Sequence, residues 1–296
     1  MNLQAEMEKR KLLIEGALEK MMPSEDCRPP VIHQAMRYAV FNGGKRLRPV
    51  LVLEGARLMG GDFESVLPIA CAVELIHSYS LVHDDLPAMD DDDLRRGKPT
   101  CHLVFGEAIA ILAGDGLLTL AFELMSQAIG NELTNHKRVL EAWTELAQAA
   151  GSKGMIAGQV TDLMSEGQEV NEETLLYTHY NKTGALFKAS LKSGAIMSGA
   201  NSIQLQALEA YAEHFGLAFQ ITDDILDVEG DELLTGKKCG SDARSEKSTF
   251  VSVYGLDQSR KMAEQCVEKA IHSLDIFGED GELLKGLAFS ILPRRK

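Results

Sequence analysis

The stretch Leu67-Pro68-Ile69-Ala70-Cys71-Ala72-Val73-Glu74-Leu75-Ile76-His77-Ser78-Tyr79-Ser80-Leu81-Val82-His83-Asp84-Asp85-Leu86 decides the fold class. Its apolar positions Leu67, Ala70, Cys71, Val73, Leu75, Ile76, Leu81 and Val82 form one wide helical stripe, unlike the strict alternation of a strand. The same periodicity runs through Ala108 to Ile129, Leu205 to Asp227 and Ser259 to Leu274. No two-residue alternation bounded by hairpin turns occurs, so strands are absent or few. Breaks at 23–30, 42–44, 60–61, 131–135, 165–171, 199–201 and 230–248 separate helices of about 10 to 25 residues and lack the look of interdomain linkers. The expectation is all-α, with residues 1–296 forming a single-domain bundle of long helices.

Charge narrows the function. The chain has 296 residues, 44 acids and 30 bases, a formal net charge of −14. Nucleic acids and acidic membrane surfaces are bound by basic faces, so both are excluded as partners. With 45% apolar and 25% charged residues the composition is that of a folded globular protein. The N-terminus has no basic region followed by an apolar run, and Leu103 to Ile129 is interrupted by Glu107, Asp115 and Glu123. Neither a signal peptide nor a transmembrane segment is expected. Five scattered cysteines without a C-x-x-C suit reduced thiols in a cytoplasmic protein.

Nine of the 44 acids fall in two clusters: six between Asp84 and Asp93, and Asp223, Asp224 and Asp227. The first follows directly on the apolar helix and is itself followed by Arg95 and Arg96. So many carboxylates repel one another unless a cation offsets them, and oxygen-only ligands favour Mg2+ or Mn2+ over zinc. In the second cluster Asp223 and Asp227, four apart, share one helix face, together with Gln220. Clusters about 140 residues apart are expected to form opposite walls of one pocket bridged by divalent ions. Within the first, Asp84 and Asp91 would face the same way on a regular helix, whereas Asp84 and Asp90 would converge if Pro87 breaks the ladder. Spacing alone leaves Asp90 and Asp91 both open.

Basic groups answer the acids. Asn42-Gly43-Gly44-Lys45-Arg46-Leu47-Arg48-Pro49 puts a glycine loop before a helix that Pro49 is suited to start, and its N–H groups with Lys45 and Arg48 make an anion cradle. His77 and Ser80 lie on the helical face that leads to Asp84. Asn181-Lys182-Thr183-Gly184 interrupts a helix, and Gly236 to Asp242 is a glycine-flanked basic loop with Lys247 beyond it. Carboxylates that hold Mg2+, ringed by Lys and Arg on loops, are the parts of a diphosphate site.

These residues resemble the trans-isoprenyl diphosphate synthase family, and the likeness spans nearly the whole chain. His83 to Gly97 is similar to the family's first aspartate-rich motif, Asp223 to Asp227 to its second, and Gly43 to Pro49 to its basic motif. Lys182-Thr183-Gly184 and Gly236 to Asp242 are similar to its allylic-site loops. Two extra residues in the first motif, in effect Pro87-Ala88, together with Tyr79 resemble the bacterial farnesyl diphosphate synthases. The resemblance implies a deep central cavity of the isoprenoid synthase type, a homodimer and three Mg2+ ions. It implies condensation of isopentenyl diphosphate with dimethylallyl and then geranyl diphosphate to farnesyl diphosphate; a geranyl or geranylgeranyl diphosphate synthase is the alternative. It further implies Asp84, Asp90, Asp223 and Asp227 as metal ligands, and Lys45, Arg48, His77 and Arg96 on isopentenyl diphosphate. Arg95, Lys182 and Lys237 would hold the allylic diphosphate, with Thr183 and Gln220 beside the allylic carbons. Tyr79 and Ser80 would limit chain length. Glu246 stands where the family commonly has glycine, so Lys247 is not carried over as a ligand, nor is Arg46; the basic tail 293–296 reads as a solvated end.

A terpene cyclase would lack the second cradle and the all-aspartate second motif. A non-catalytic subunit of a prenyl synthase would have lost aspartates that are present here. A generic acidic binding protein leaves the spacings unexplained.

Overall fold

A computed structural model describes residues 2–129, 135–229 and 247–292. The first three helices, α1 (Leu3–Met21), α2 (Pro30–Phe41) and α3 (Leu47–Leu58), lead into α4 (Phe63–Asp84). Helix α4 starts at Asp62, whose carboxylate accepts from the Ser65 N–H at 2.9 Å. Pro68 removes one ladder bond in its second turn without ending it. Buried side chains run all round α4 from Val66 to Val82, so it is a core helix and not a surface helix with one apolar face. Glu74 can sit inside because Arg46 meets it at 2.6 Å.

After the Asp-rich loop come α5 (Cys101–Phe105), α6 (Glu107–Ile129), α7 (His136–Ala150), α8 (Met155–Ser165) and α9 (Glu172–His179). A π-helical turn, Tyr180–Gly184, joins α9 to α10 (Ala185–Met197), and α11 (Ser202–Glu229) follows. Helices α12 (Phe250–Tyr254), α13 (Leu256–Ser273) and α14 (Glu282–Ser290) complete the described chain. Of the described residues 79% are helical, and the one sheet among them is the ladder Leu94–Arg95 (β1) with Lys98–Pro99 (β2). The all-α expectation holds. Helix α3 starts two residues before Pro49, which therefore sits within the first turn, where its missing N–H costs no bond.

Apolar side chains gather in two clusters. One surrounds α4 and α6 with α1 and α2; the other joins α10, α11, α13 and α14. Helices α3 and α10 connect them by crossing glycine on backbone. A Cβ at Gly55 would stand 2.1 Å from the Leu191 carbonyl oxygen, and one at Gly194 would stand 1.8 Å from that of Val52. Helices α4 and Glu107–Ala128 of α6 are each long and apolar enough to cross a bilayer, but 67% and 44% of those windows are buried inside the protein. The apolarity of α4 is consumed by the core. On α5 and α6, Leu103, Val104, Ile111 and Leu112 stay exposed.

Candidate diphosphate and metal site

Helix α4 stops at Asp84, with Asp85 as its cap; Pro87 disfavours a helical Leu86, so the chain turns. It returns through Leu86–Met89 so that the Asp90 N–H donates to the Asp84 carbonyl at 2.8 Å. Of the two candidates left open by spacing, Asp90 is the one set beside Asp84, while Asp91 takes a left-handed φ of 50° and is exposed. Burial and then Asp90 push the Asp84 carboxyl up to about 6, against the pull of Lys182. Burial also acts to raise Asp90, but Lys182 and Lys247 outweigh it and hold that carboxyl below its usual range. Asp85 is buried and anchors Arg95, accepting from its Nε at 2.9 Å, and Asp92 accepts from the same guanidinium at 3.1 Å. Arg96 donates to the Gly43 carbonyl; a Cβ at Gly44, whose φ is +122°, would meet the Arg96 guanidinium at 2.7 Å.

Lys182 and Thr183 project from the π-turn, an extra residue in the helical ladder of the kind found at functional sites. Lys182 Nζ reaches Asp162 Oδ2 at 2.7 Å, and Lys247 Nζ lies 2.9 Å from Asp90 and 3.9 Å from that same Asp162 oxygen. Sequence reasoning discounted Lys247; the structure puts it on the first aspartate cluster. No sequence motif singles out Asp162. The available signal was its being the one carboxylate on the apolar helix α8.

On α11, Asp223 is exposed and Asp227 half-buried on a shared face, whereas Asp224 is turned inward and is 3% exposed. Gln220 links this cluster inward. Its Nε2 donates to Asp224 Oδ1 at 2.9 Å, and its Oε1 accepts from the Thr183 hydroxyl at 3.0 Å. The Phe250 N–H donates to the other Asp224 oxygen at 2.8 Å. Lys237 and the rest of its loop lie outside the described residues.

The basic loop divides its labour. Arg46, in a left-handed conformation, is buried on Glu74 and donates to the Val40 carbonyl at 2.8 Å, a structural role. Lys45 is exposed, with no ion pair among the described residues. Arg48 stacks its guanidinium 4.4 Å from the Phe187 ring and lies 3.3 Å from His77 Nε2. Its enclosed Nε has no partner among the described residues. Burial lowers Arg48 to about 10 against the pull of Glu74, with Arg96 adding to the fall. Burial, then Arg48 and the other arginines, holds His77 well below the usual imidazole range. His77 is therefore neutral, and its Nε2 accepts. Tyr79 is buried, edge-on to His83 at 5.9 Å, and the Ser80 hydroxyl donates to the His77 carbonyl at 2.9 Å.

Among the described residues no three His, Cys, Asp or Glu side chains already stand together as a metal centre. The donor chemistry nevertheless fits a hard cation: Asp84, Asp90, Asp223 and Asp227 offer only carboxylate oxygens, and burial and then Asp90 keep Asp84 raised even with Lys182 and Arg95 nearby. The orphaned Arg48 Nε fits an anion at the other end.

Residues 29–278 match the family described as Polyprenyl synthetase. The farnesyl diphosphate synthase of Escherichia coli is 47% identical over 271 residues, 90% of each chain. A geranylgeranyl diphosphate synthase of Cyanophora paradoxa is 41% identical over 294 residues, 99% of this chain and 97% of that one. The crystal structure of a geranyltransferase from Helicobacter pylori, complexed with magnesium and isoprenyl diphosphate, superposes with a TM-score of 0.86 at 33% identity, covering 99% of this chain and 97% of that one.

Proposed function

The chain belongs to the polyprenyl synthetase family, and from that premise we propose that it is a Mg2+-dependent farnesyl diphosphate synthase. It joins isopentenyl diphosphate to dimethylallyl diphosphate and then to geranyl diphosphate. One observation carries the reading. Arg48 is enclosed beside neutral His77 with no carboxylate within ion-pair distance among the described residues, while Asp84, with Asp90 crowded against it, lies seven residues along the same helix from His77. Seven residues of helix span about 10 Å. One end calls for an anion and the other for cations, which suits two diphosphates lying at either end of one reaction cleft.

Lys45, Arg48, His77 and Arg96 hold the isopentenyl diphosphate in this reading. Arg95, Lys182 and Lys237 hold the allylic diphosphate, and Lys247, already on Asp90, joins them. Mg2+ held by Asp84, Asp90, Asp223 and Asp227 would neutralise charge on the departing diphosphate. Lys182 and Arg95 retain that leaving group as the allylic carbon–oxygen bond breaks and its electron pair departs with the oxygen. Thr183 and Gln220 face the electron-poor carbon, and the arginine end holds the isopentenyl double bond in line to attack it. The new cation then loses a proton, for which the released diphosphate is the base. Tyr79, one turn from Asp84 and wedged against His83, bounds the growing chain together with Ser80.

A homodimer is part of the same reading, supported by the exposed apolar row Leu103, Val104, Ile111 and Leu112, which a second copy would cover. A cytoplasmic setting is supported by the unpaired thiols of Cys27, Cys71, Cys101 and Cys266. Residues 1–296 are read as one domain because α3 and α10 lock the two apolar clusters together.

Incubation with Mg2+, labelled isopentenyl diphosphate and either allylic diphosphate tests the proposal. Accumulation of the fifteen-carbon product is expected. Ten- or twenty-carbon product would replace the farnesyl assignment by the geranyl or geranylgeranyl one, and no elongation would refute prenyl transfer.

A further inference from the structure

Asp224 is the member of the second cluster that does not face outward with Asp223 and Asp227. Its carboxylate has one oxygen on the Phe250 N–H at 2.8 Å and the other on the Gln220 amide at 2.9 Å, and it is 3% exposed. We propose that Asp224 is a positioning residue that sets the direction of the hydrogen-bond chain from Thr183 through Gln220, so that the Thr183 oxygen is offered to the reacting carbon as an acceptor. The inference rests on the prenyl-transfer reading and deepens it.

The direction follows from what each group can do. A carboxylate that accepts from an N–H at one oxygen presents a second acceptor at the other. The Gln220 amide must turn its NH2 toward that oxygen, because the flipped amide would bring two acceptors together at 2.9 Å. Gln220 Oε1 then faces Thr183, and the hydroxyl, the only partner with a proton, donates to it at 3.0 Å. With its proton so committed, the Thr183 oxygen has only lone pairs left for other neighbours. An electron-poor carbon beside it meets negative density. Two further facts give Asp224 its reach. Thr183 follows Lys182 in the π-turn, and Phe250 opens α12 three residues after Lys247. One inward carboxylate thus ties the cation-facing hydroxyl and the segment bearing Lys247 to the helix of the second cluster.

Asp224→Asn tests this directly. Its amide oxygen must still accept from the Phe250 N–H, so its NH2 faces Gln220 and the chain reverses: Gln220 donates to Thr183, whose proton then points elsewhere. Turnover is expected to fall about tenfold to hundredfold with the allylic KM nearly unchanged. Gln220→Glu in the same chain restores the original direction, because the new carboxylate accepts both from the amide introduced at position 224 and from Thr183. That double variant should recover most of the lost turnover, although Gln220→Glu alone, with two carboxylates facing, is impaired. Wild-type turnover in Asp224→Asn, or no recovery in the double variant, would overturn the proposal. If Asp224→Asn does not fold, Gln220→Met and Thr183→Val replace it: losses no larger together than singly support the chain, and losses that multiply refute it. A wild type without turnover refutes the prenyl-transfer reading itself, whereas an active wild type with either adverse result refutes only the role of Asp224.

Discussion

At the Asp84 end of α4, burial and a neighbouring carboxylate raise an acid to about 6; at the His77 end, burial and neighbouring guanidinium groups lower Arg48 to about 10 and leave His77 neutral. Burial pushes both ends toward the uncharged form, against Lys182 at Asp84 and against Glu74 at Arg48, yet their direct partners differ. The acid end has internal cations: Lys247 on Asp90, Lys182 on Asp162, and Arg95 on Asp85 and Asp92. The basic end has an aromatic ring and a neutral imidazole, with no carboxylate on Arg48 among the described residues. Long lysines on exchangeable ion pairs can yield to an incoming cation or follow an incoming anion. A guanidinium stacked on Phe187 is already in place. The proposed allylic end is therefore built to rearrange on binding, and the proposed isopentenyl end is built to receive.

The strongest way to break the comparison is to empty the acid end. Asp84→Ala and Asp223→Ala should each lower turnover about a thousandfold or more, as should chelation of Mg2+ from the wild type. Near-normal rates in either variant would remove these carboxylates from the metal assignment. Next, Arg48→Gln should raise the isopentenyl KM about tenfold to hundredfold, the worth of a charge-assisted contact, while leaving the allylic KM close to normal. Equal rises in both constants would contradict a division of labour between the two ends.

A smaller effect is expected where the structure offers exchangeable partners. Asp162→Asn leaves Lys182 without its 2.7 Å ion pair and should raise the allylic KM about tenfold or less, because Lys182 retains Asp84 and Asp90 nearby. A thousandfold loss would mean that Asp162 does more than hold a lysine. Tyr79→Ala should change rate least and product most, giving longer prenyl chains by chromatography; unchanged length would dismiss Tyr79 as the stop.

The smallest effect isolates burial from function. His179 stacks on Phe250 at 5.1 Å, its Nε2 has no partner among the described residues, and burial lowers it to about 4. Neutral His179 contributes stability that is fully present above about 6.5 and is lost as pH falls toward 4, about 3 kcal/mol at most. Melting temperatures between pH 7 and 4 should fall less steeply in His179→Leu than in the wild type. Identical slopes would assign the acid sensitivity elsewhere.

Much of this architecture is legible from residue order because periodicity and burial are the same signal: Leu67 to Val82 reads as a core helix and is one. What escapes lies in backbone detail. Asp90 and Asp91 differ by which N–H closes on the Asp84 carbonyl, and no side-chain pattern encodes that bond. Arg46 and Arg48 are two residues apart, but with a left-handed φ of 52° at Arg46 one is buried on Glu74 and the other lies against His77 and Phe187. Asp162 escapes because a single acid on a short helix resembles a solvated one until Lys182 and Lys247 are folded against it. Lys247 was set aside on its neighbour Glu246, although a lysine reaches its target through its own length rather than through the residue before it.

The contact of Gly55 and Gly194 with opposing backbone has a consequence for how such a site could diversify. Helix α3 carries Arg48 at its start and α10 follows directly on Lys182 and Thr183, and the two helices run side by side from the same end of the molecule, with Arg48 over Phe187 there. The separation of the two proposed cradles is thus gauged by a joint remote from either, at a place where even one methyl group does not fit. If the proposed reaction holds, side chains around that site can vary, and with them the product, while the gap across which the new carbon–carbon bond would form stays fixed.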